Sequence, residues 1–326
     1  MRLAIAAVLT TSLLLSTAFA DEARTPPVAY RTVQVDGLAI FYREAGPKDA
    51  PTILLLHGLP SSSRMYEPLL RRLADRFHLV APDYPGFGHS DAPDPKQFAY
   101  TFDHLAAVVE HFTEALGLTR YTLYMQDYGG PIGFRMVLAH PERVSALIVQ
   151  DAVAHDTGLG ANWKVRREFW KDRAAHESTL RENLLSLATT RTRHVGNDPN
   201  PERYDPDLWT DELAFLQRPG MADIQSDLFY DYRTNVESYP KWQAWMREAQ
   251  PRLLVVWAST SSRSTRRSRR PIAATCQARM CTSWTGGTSR WTRRRTRSPR
   301  WCGVSSHPDL NYRLSRLRHD ADPRLR

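Results

Sequence analysis

Between Tyr30 and Trp257 short β-branched runs alternate with longer stretches of helical spacing, and this rhythm limits the possible folds more than any other feature. Thr52–Leu56, His78–Ala81, Tyr121–Met125 and Ala146–Gln150 are nearly continuous apolar runs. Strands that are apolar throughout, rather than at every second residue, are buried on both faces, as in a parallel sheet between two helix layers. The helices come between them: Tyr66–Leu73, Phe102–Leu116 and Gly130–Ala139, with Leu105, Val108, Val109, Phe112 and Leu116 marking one face of the second. Val33–Val35 and Ala39–Tyr42 read as a strand pair around Asp36-Gly37. The pattern therefore predicts an α/β fold, a mostly parallel sheet covered by helices on both faces.

The rhythm breaks after Ala152. Residues 152–249 are helix-rich, aromatic and charged, and Arg252–Trp257 then resumes a buried strand. A helical block inserted into such a sheet predicts a cap over the strand ends, where open α/β sheets hold their ligands. The predicted organisation is a core over 27–151, a cap over 152–249, a resumed core strand over 250–257 and a basic, low-order tail over 258–326. Residues 1–20 read as a cleaved export signal: Arg2, the apolar run Leu3–Leu15, then Ala18-Phe19-Ala20 before Asp21. That run is short for a membrane anchor. The expected product is exported, periplasmic or secreted, and free of the membrane after cleavage.

Charge is unevenly placed. The tail holds 17 of the 44 Lys and Arg residues and three of the 35 acids, while the other 257 residues carry a net −5. All three cysteines, Cys276, Cys281 and Cys302, also lie in the tail, so the body has no disulfide framework and no thiol chemistry. No cysteine or histidine spacing suits a metal, and no cofactor motif is present; the expected partner is a small-molecule substrate, not nucleic acid.

Chemistry concentrates at Tyr121–Gly133. A β-run ends at Gln126, Asp127 stands at the turn, and Tyr128-Gly129-Gly130 lets a helix start at once. A strand–turn–helix of this kind pushes one side chain out at the top of a sheet, the arrangement of a nucleophile elbow. With Asp at the tip, attack on carbon forms an ester that water must hydrolyse. The same residues also fit an ordinary Asp N-cap. His57-Gly58-Leu59-Pro60 follows a buried strand, and the backbone N–H groups of Leu59 and Tyr128 are candidate oxyanion donors. Asp83-Tyr84-Pro85-Gly86-Phe87-Gly88-His89-Ser90-Asp91 follows the next strand as a turn-rich loop, which makes Ser90 a loop residue rather than a nucleophile.

These three motifs, in this order, resemble the α/β-hydrolase family, and within it the epoxide hydrolase and haloalkane dehalogenase group. The resemblance covers residues ~30–257. It implies that Asp127 attacks carbon and that a His–acid pair activates the hydrolytic water. Asp151, after Ala146–Gln150, matches one of two places for the acid, though a loop-capping Asp fits there too. Epoxide hydrolases add cap tyrosines that donate to the epoxide oxygen. Asp231-Tyr232-Arg233-Thr234-Asn235 resembles the segment bearing one, which makes Tyr232 the candidate, with an aromatic core residue as the alternative. Dehalogenases hold halide with a Trp after the nucleophile, where this chain has Tyr128. The implied function is an Asp-nucleophile hydrolase acting on epoxides, with a dehalogenase-like hydrolase as the alternative.

The family also needs a histidine about 30 residues beyond the Arg252–Trp257 strand, and there is none from Val195 to Ser306. Thr288 stands near that position. The genetic code offers a reason. Reading each codon's last base with the next two turns Trp257|Ala258 into Gly, Met280|Cys281 into Val, and Trp284|Thr285 and Trp291|Thr292 into Asp. Gly287|Thr288 becomes His when the Gly codon ends in C. The recovered string resembles the family's last strand and catalytic His loop, so one base is read as lost near Trp257 and the rest as out of frame. Two further readings follow: a catalytically inactive relic lacking its His, and a true basic tail that binds polyanions.

Overall fold

The computed structural model describes residues 27–160, 163–196, 198–258 and 279–284. The proposed export signal at 1–20, Thr288, and all of the tail other than Ala258 and 279–284 lie outside them.

Eight strands form one sheet: β1 (Ala29–Val35), β2 (Leu38–Ala45), β3 (Thr52–Leu56), β4 (His78–Pro82), β5 (Tyr121–Gln126), β6 (Val144–Gln150), β7 (Leu253–Ala258) and β8 (Arg279–Trp284). Their spatial order is β1-β2-β4-β3-β5-β6-β7-β8. The β1–β2 hairpin turns at Asp36-Gly37 and joins β4 antiparallel, whereas every pair from β4 to β8 is parallel. Order of this kind follows from the apolar runs. Leu54 and Leu56 enter the core under α2 (Phe102–Ala115) and α3 (Gly129–Ala139), while Ile53 and Leu55 pack under α1 (Glu67–Leu73). A strand apolar on both sides is stable only with a layer on each, and each fully buried Leu contributes about 1.5–3 kcal/mol.

Within the tail, one further segment is described. Arg279–Trp284 pairs in parallel with β7 as the edge strand β8. The exposed backbone of β7 can direct such pairing, because the ladder uses main-chain groups whatever the side chains. β8 falls on the codons where the shifted reading places the family's last strand.

Between β6 and β7 the chain makes α4 (Trp163–Lys171), α5 (Arg173–Leu184), α6 (Leu187–Val195), α7 (Asp207–Leu216) and α8 (Met221–Ala249). The last of these also belongs to the core packing: Trp242 of α8 stacks on Phe134 of α3 with ring centroids 5.0 Å apart.

Candidate active site

Asp127 sits between β5 and α3 with φ +47°, a left-handed conformation that non-glycine residues seldom adopt. Such strain costs of order 1–3 kcal/mol and persists only where the surroundings enforce it. They do so here. A Cβ on Gly129 would lie 2.2 Å from the Leu56 carbonyl oxygen, and one on Gly58 would lie 2.3 Å from Cβ of Asp127. The glycines thus let two loops close on the carboxylate. The N–H of Leu59 donates to Asp127 Oδ1 at 3.0 Å, and the N–H of Tyr128 also donates to this carboxylate. Both expected oxyanion donors are therefore trained on the aspartate itself. Burial raises the Asp127 pKa above the ordinary value, opposed by the Leu59 N–H, Arg166, the Tyr128 N–H and Arg193.

Asp127 lies on the floor of a cavity of about 240 Å³. Leu59, Gln126 and Tyr128 line it from the core, and Trp163, Arg166, Arg193, His194, Glu212, Phe229 and Tyr232 line it from the helical block. The block is thus a roof over the strand ends, as the sequence predicted.

Tyr232 is held in place by its motif neighbours. Asp231 Oδ2 accepts from the N–H of Phe102 at the start of α2 at 2.8 Å, and Thr234 and Asn235 accept from Arg135 of α3 at 3.2 and 2.6 Å. One turn of α8 is thereby pinned to two core helices, with Tyr232 packed against Trp163 at 4.6 Å on the cavity wall. Burial, and then the charge of Asp127, raise its pKa, so the phenol stays protonated. Tyr128 supplies a second phenol: its ring lies 6.0 Å from that of Tyr232, and its buried hydroxyl has no hydrogen-bond partner among the described residues. This second phenol comes from the elbow rather than from the helical block.

Asp151 follows β6 with φ +46°, and its N–H donates to the Val256 carbonyl at 3.2 Å. It stands beside the elbow at the strand ends but does not line the cavity. His57 is buried, stacks on Tyr84 at 4.0 Å and accepts weakly from the Tyr84 N–H. Burial pushes its pKa down to about 4, so it is neutral and structural. Ser90 ties the loop together, donating to the Asp83 carbonyl at 2.7 Å and accepting from the Phe41 N–H at 2.8 Å.

Sequence reasoning missed the roof polar groups. His194 Nε2 meets Glu212 Oε2 at 2.6 Å, both buried and both on the cavity wall. The available signal was helical spacing, since Glu212 falls on the apolar face made by Trp209 and Leu216. Arg166 and Arg193 gave none, because a cavity-facing arginine and a solvated one look alike in sequence. Among the described residues no group of three or more His, Cys, Asp or Glu side chains could hold a metal.

A strained residue between strand and helix at the C-terminal edge of a parallel sheet, with a backbone donor trained on it and helices overhead, is the arrangement of the α/β-hydrolase fold. The family model described as the alpha/beta hydrolase fold matches residues 51–281, and the chain belongs to that family. It is 35% identical over 238 residues to the uncharacterized hydrolase YNR064C of Saccharomyces cerevisiae, a match covering 72% of this chain and 81% of that protein. It is 36% identical over 128 residues to a haloalkane dehalogenase of Psychrobacter cryohalolentis, which covers 38% of this chain and 42% of the dehalogenase. Among solved structures, Cfl2 from Burkholderia cenocepacia superposes with a TM-score of 0.68 at 21% identity, covering 91% of this chain and 97% of that one. A loop variant of the haloalkane dehalogenase DbeA from Bradyrhizobium elkanii gives 0.66 at 18% identity, covering 81% and 91%. These structural likenesses support the fold.

Proposed function

We propose that this protein hydrolyses a bond between carbon and an electronegative leaving group, with Asp127 as the nucleophile. The observation that carries the proposal is the strained Asp127 on the cavity floor with the Leu59 N–H on one of its oxygens. The second oxygen attacks the substrate carbon, the leaving group departs with the bonding pair, and an ester forms. Water then adds to the ester carbonyl. The oxygen that becomes negative is Oδ1, already facing the Leu59 N–H, so that donor does not have to move. The alcohol leaves, and Asp127 regains its carboxylate with one oxygen from water.

The relatives named as dehalogenases favour halide as the leaving group. An epoxide is the second reading, favoured by Tyr128 and Tyr232 side by side on the wall, two protonated phenols suited to an opening ring oxygen. A single turnover in ¹⁸O water tests the nucleophile. The label is expected in the Asp127 carboxylate, and label in the product alone would make Asp127 a base.

Ester hydrolysis also needs a base for the water. Among the described residues His194 is the histidine on the cavity wall, and it is engaged with Glu212. With Asp151 as the acid and the His lost through a frame change, the chain as written completes the first half-reaction and stalls. On sequence grounds we also propose that residues 1–20 direct export, and an N-terminus at Asp21 in recovered protein checks this.

A further inference from the structure

Three arginines of the helical block are matched with acids. Arg167 bonds Asp156, Arg173 bonds Asp227 at 2.6 Å, and Arg181 bonds Asp223 at 2.7 Å. The two in the cavity are not. Arg166 lies over the rings of Trp163 and Phe229, at 4.3 and 5.2 Å, and makes no ion pair with an acid among the described residues. Arg193 keeps Nη1 buried with no hydrogen-bond partner among the described residues. A buried guanidinium N–H left unsatisfied is costly, and a second cation nearby adds to the cost.

The acids that share the cavity do not remove the need. Glu212 is engaged with His194 at 2.6 Å, and Asp127 is held by backbone N–H groups. Arg166 and Arg193 line the same cavity as Asp127, and their charges act on its carboxylate. Burial lowers the Arg193 pKa, the mark of a cation short of solvent.

We infer that the substrate carries a carboxylate, held by Arg193 and Arg166 while Asp127 attacks the neighbouring carbon. The inference rests on the Asp127 reading and adds the substrate class: a small halogenated or epoxidised acid rather than a neutral alkane. For a halogenated acid the balance is simple. The new C–O bond to Asp127 replaces the C–X bond, halide leaves with the electron pair, and water completes the reaction to hydroxy acid, halide and a proton. Two guanidinium groups suit a carboxylate because their N–H donors match its paired oxygens.

Binding and chemistry are tested separately on the full chain in low-chloride buffer. In the binding arm, ligand-observed NMR titrations compare propionate, propionamide and bromide. Propionate is expected to bind at least about tenfold more tightly than the amide, and to weaken about 10- to 100-fold in Arg193→Met and in Arg166→Met, the loss of a charged hydrogen bond. Arg193→Lys is expected to lose less. Equal binding of amide and acid in the wild-type chain overturns the inference, and this comparison needs no variant to fold. Bromide binding as tightly as propionate, and displacing it, also overturns it, because the arginines would then hold the leaving halide.

In the chemical arm, bromoacetate and bromoacetamide are compared for alkylation of Asp127 by peptide mapping, normalised to their reaction with free acetate. Faster alkylation by the acid, with the preference lost in Arg193→Met, supports the inference. Propionate binding through the arginines without any Asp127 adduct leaves the anion site standing and defeats the hydrolase reading. Adducts formed equally from both reagents, with no anion binding, do the reverse.

Discussion

A single added methyl group at Gly58 probes the geometry of the elbow. In Gly58→Ala the new Cβ would stand 2.3 Å from Cβ of Asp127 and 2.4 Å from Gln126 Oε1, where ordinary contact begins at 3.4 Å. The His57–Pro60 loop and the elbow must therefore part by about 1 Å. The Leu59 N–H bond to Asp127, now 3.0 Å, would open beyond hydrogen-bonding range. A displacement of about 1 Å at a reacting group costs about 100-fold in rate, and crowding in a packed region costs about 1–3 kcal/mol. We expect Asp127 alkylation to slow about 100-fold, with Tm lower by roughly 2–10 °C. The rate is followed by intact mass under single-turnover conditions and the Tm by circular dichroism. Gly37→Ala is the control. It lies at the β1–β2 turn with φ +78° and nothing within 4 Å, so it strains the backbone while leaving the alkylation rate unchanged. Wild-type alkylation by Gly58→Ala, with Tm unaltered, would refute the reasoning that glycine here lets the donor loop meet the nucleophile.

Asp127→Asn is expected to abolish the covalent adduct and to raise Tm at neutral pH. Burial holds the folded pKa of Asp127 above 3.8, so the folded state binds more protons and wild-type stability falls as pH rises through that window; the two Tm values should converge below pH 3.8, and a lower Tm for the variant at pH 7 contradicts this. Burial pushes His57 down to about 4, and burial and Arg247 push His155 down to about 4. Stability from these neutral rings is complete above pH 6.5 and is lost as pH falls toward 4, so urea midpoints should fall across that window and fall less steeply in His57→Gln. The chain as written should stop after one Asp127 adduct, whereas a version with one base restored after Trp257 should turn over repeatedly, since general-base help is typically about 10²–10⁴-fold. Repeated turnover by the chain as written, lost in His194→Gln, would move the base to the His194–Glu212 pair.

Much of this architecture can be read from one-dimensional pattern. Strands apolar on both faces require two helix layers, and the change of rhythm after Ala152 announces the roof. Local chemistry is legible for the same reason: Asp127 and the glycines after it are neighbours in the chain, and a strand–turn–helix is a local structure. Tyr232 was also within reach, since Asp231, Thr234 and Asn235, which pin it, are its own sequence neighbours. Three features required the tertiary structure. The contact between Gly58 and Asp127 joins residues 69 positions apart, and only the β3–β5 pairing brings their loops together. The cavity takes Arg166, Arg193 and Glu212 from three helices whose sequences do not mark which charges face inward. Strand β8 pairs along the edge of β7, a placement that no apolar pattern in Arg279–Trp284 announces. Periodicity records which face of an element is buried, but not which other element buries it, and the cavity-facing charges depend on the second.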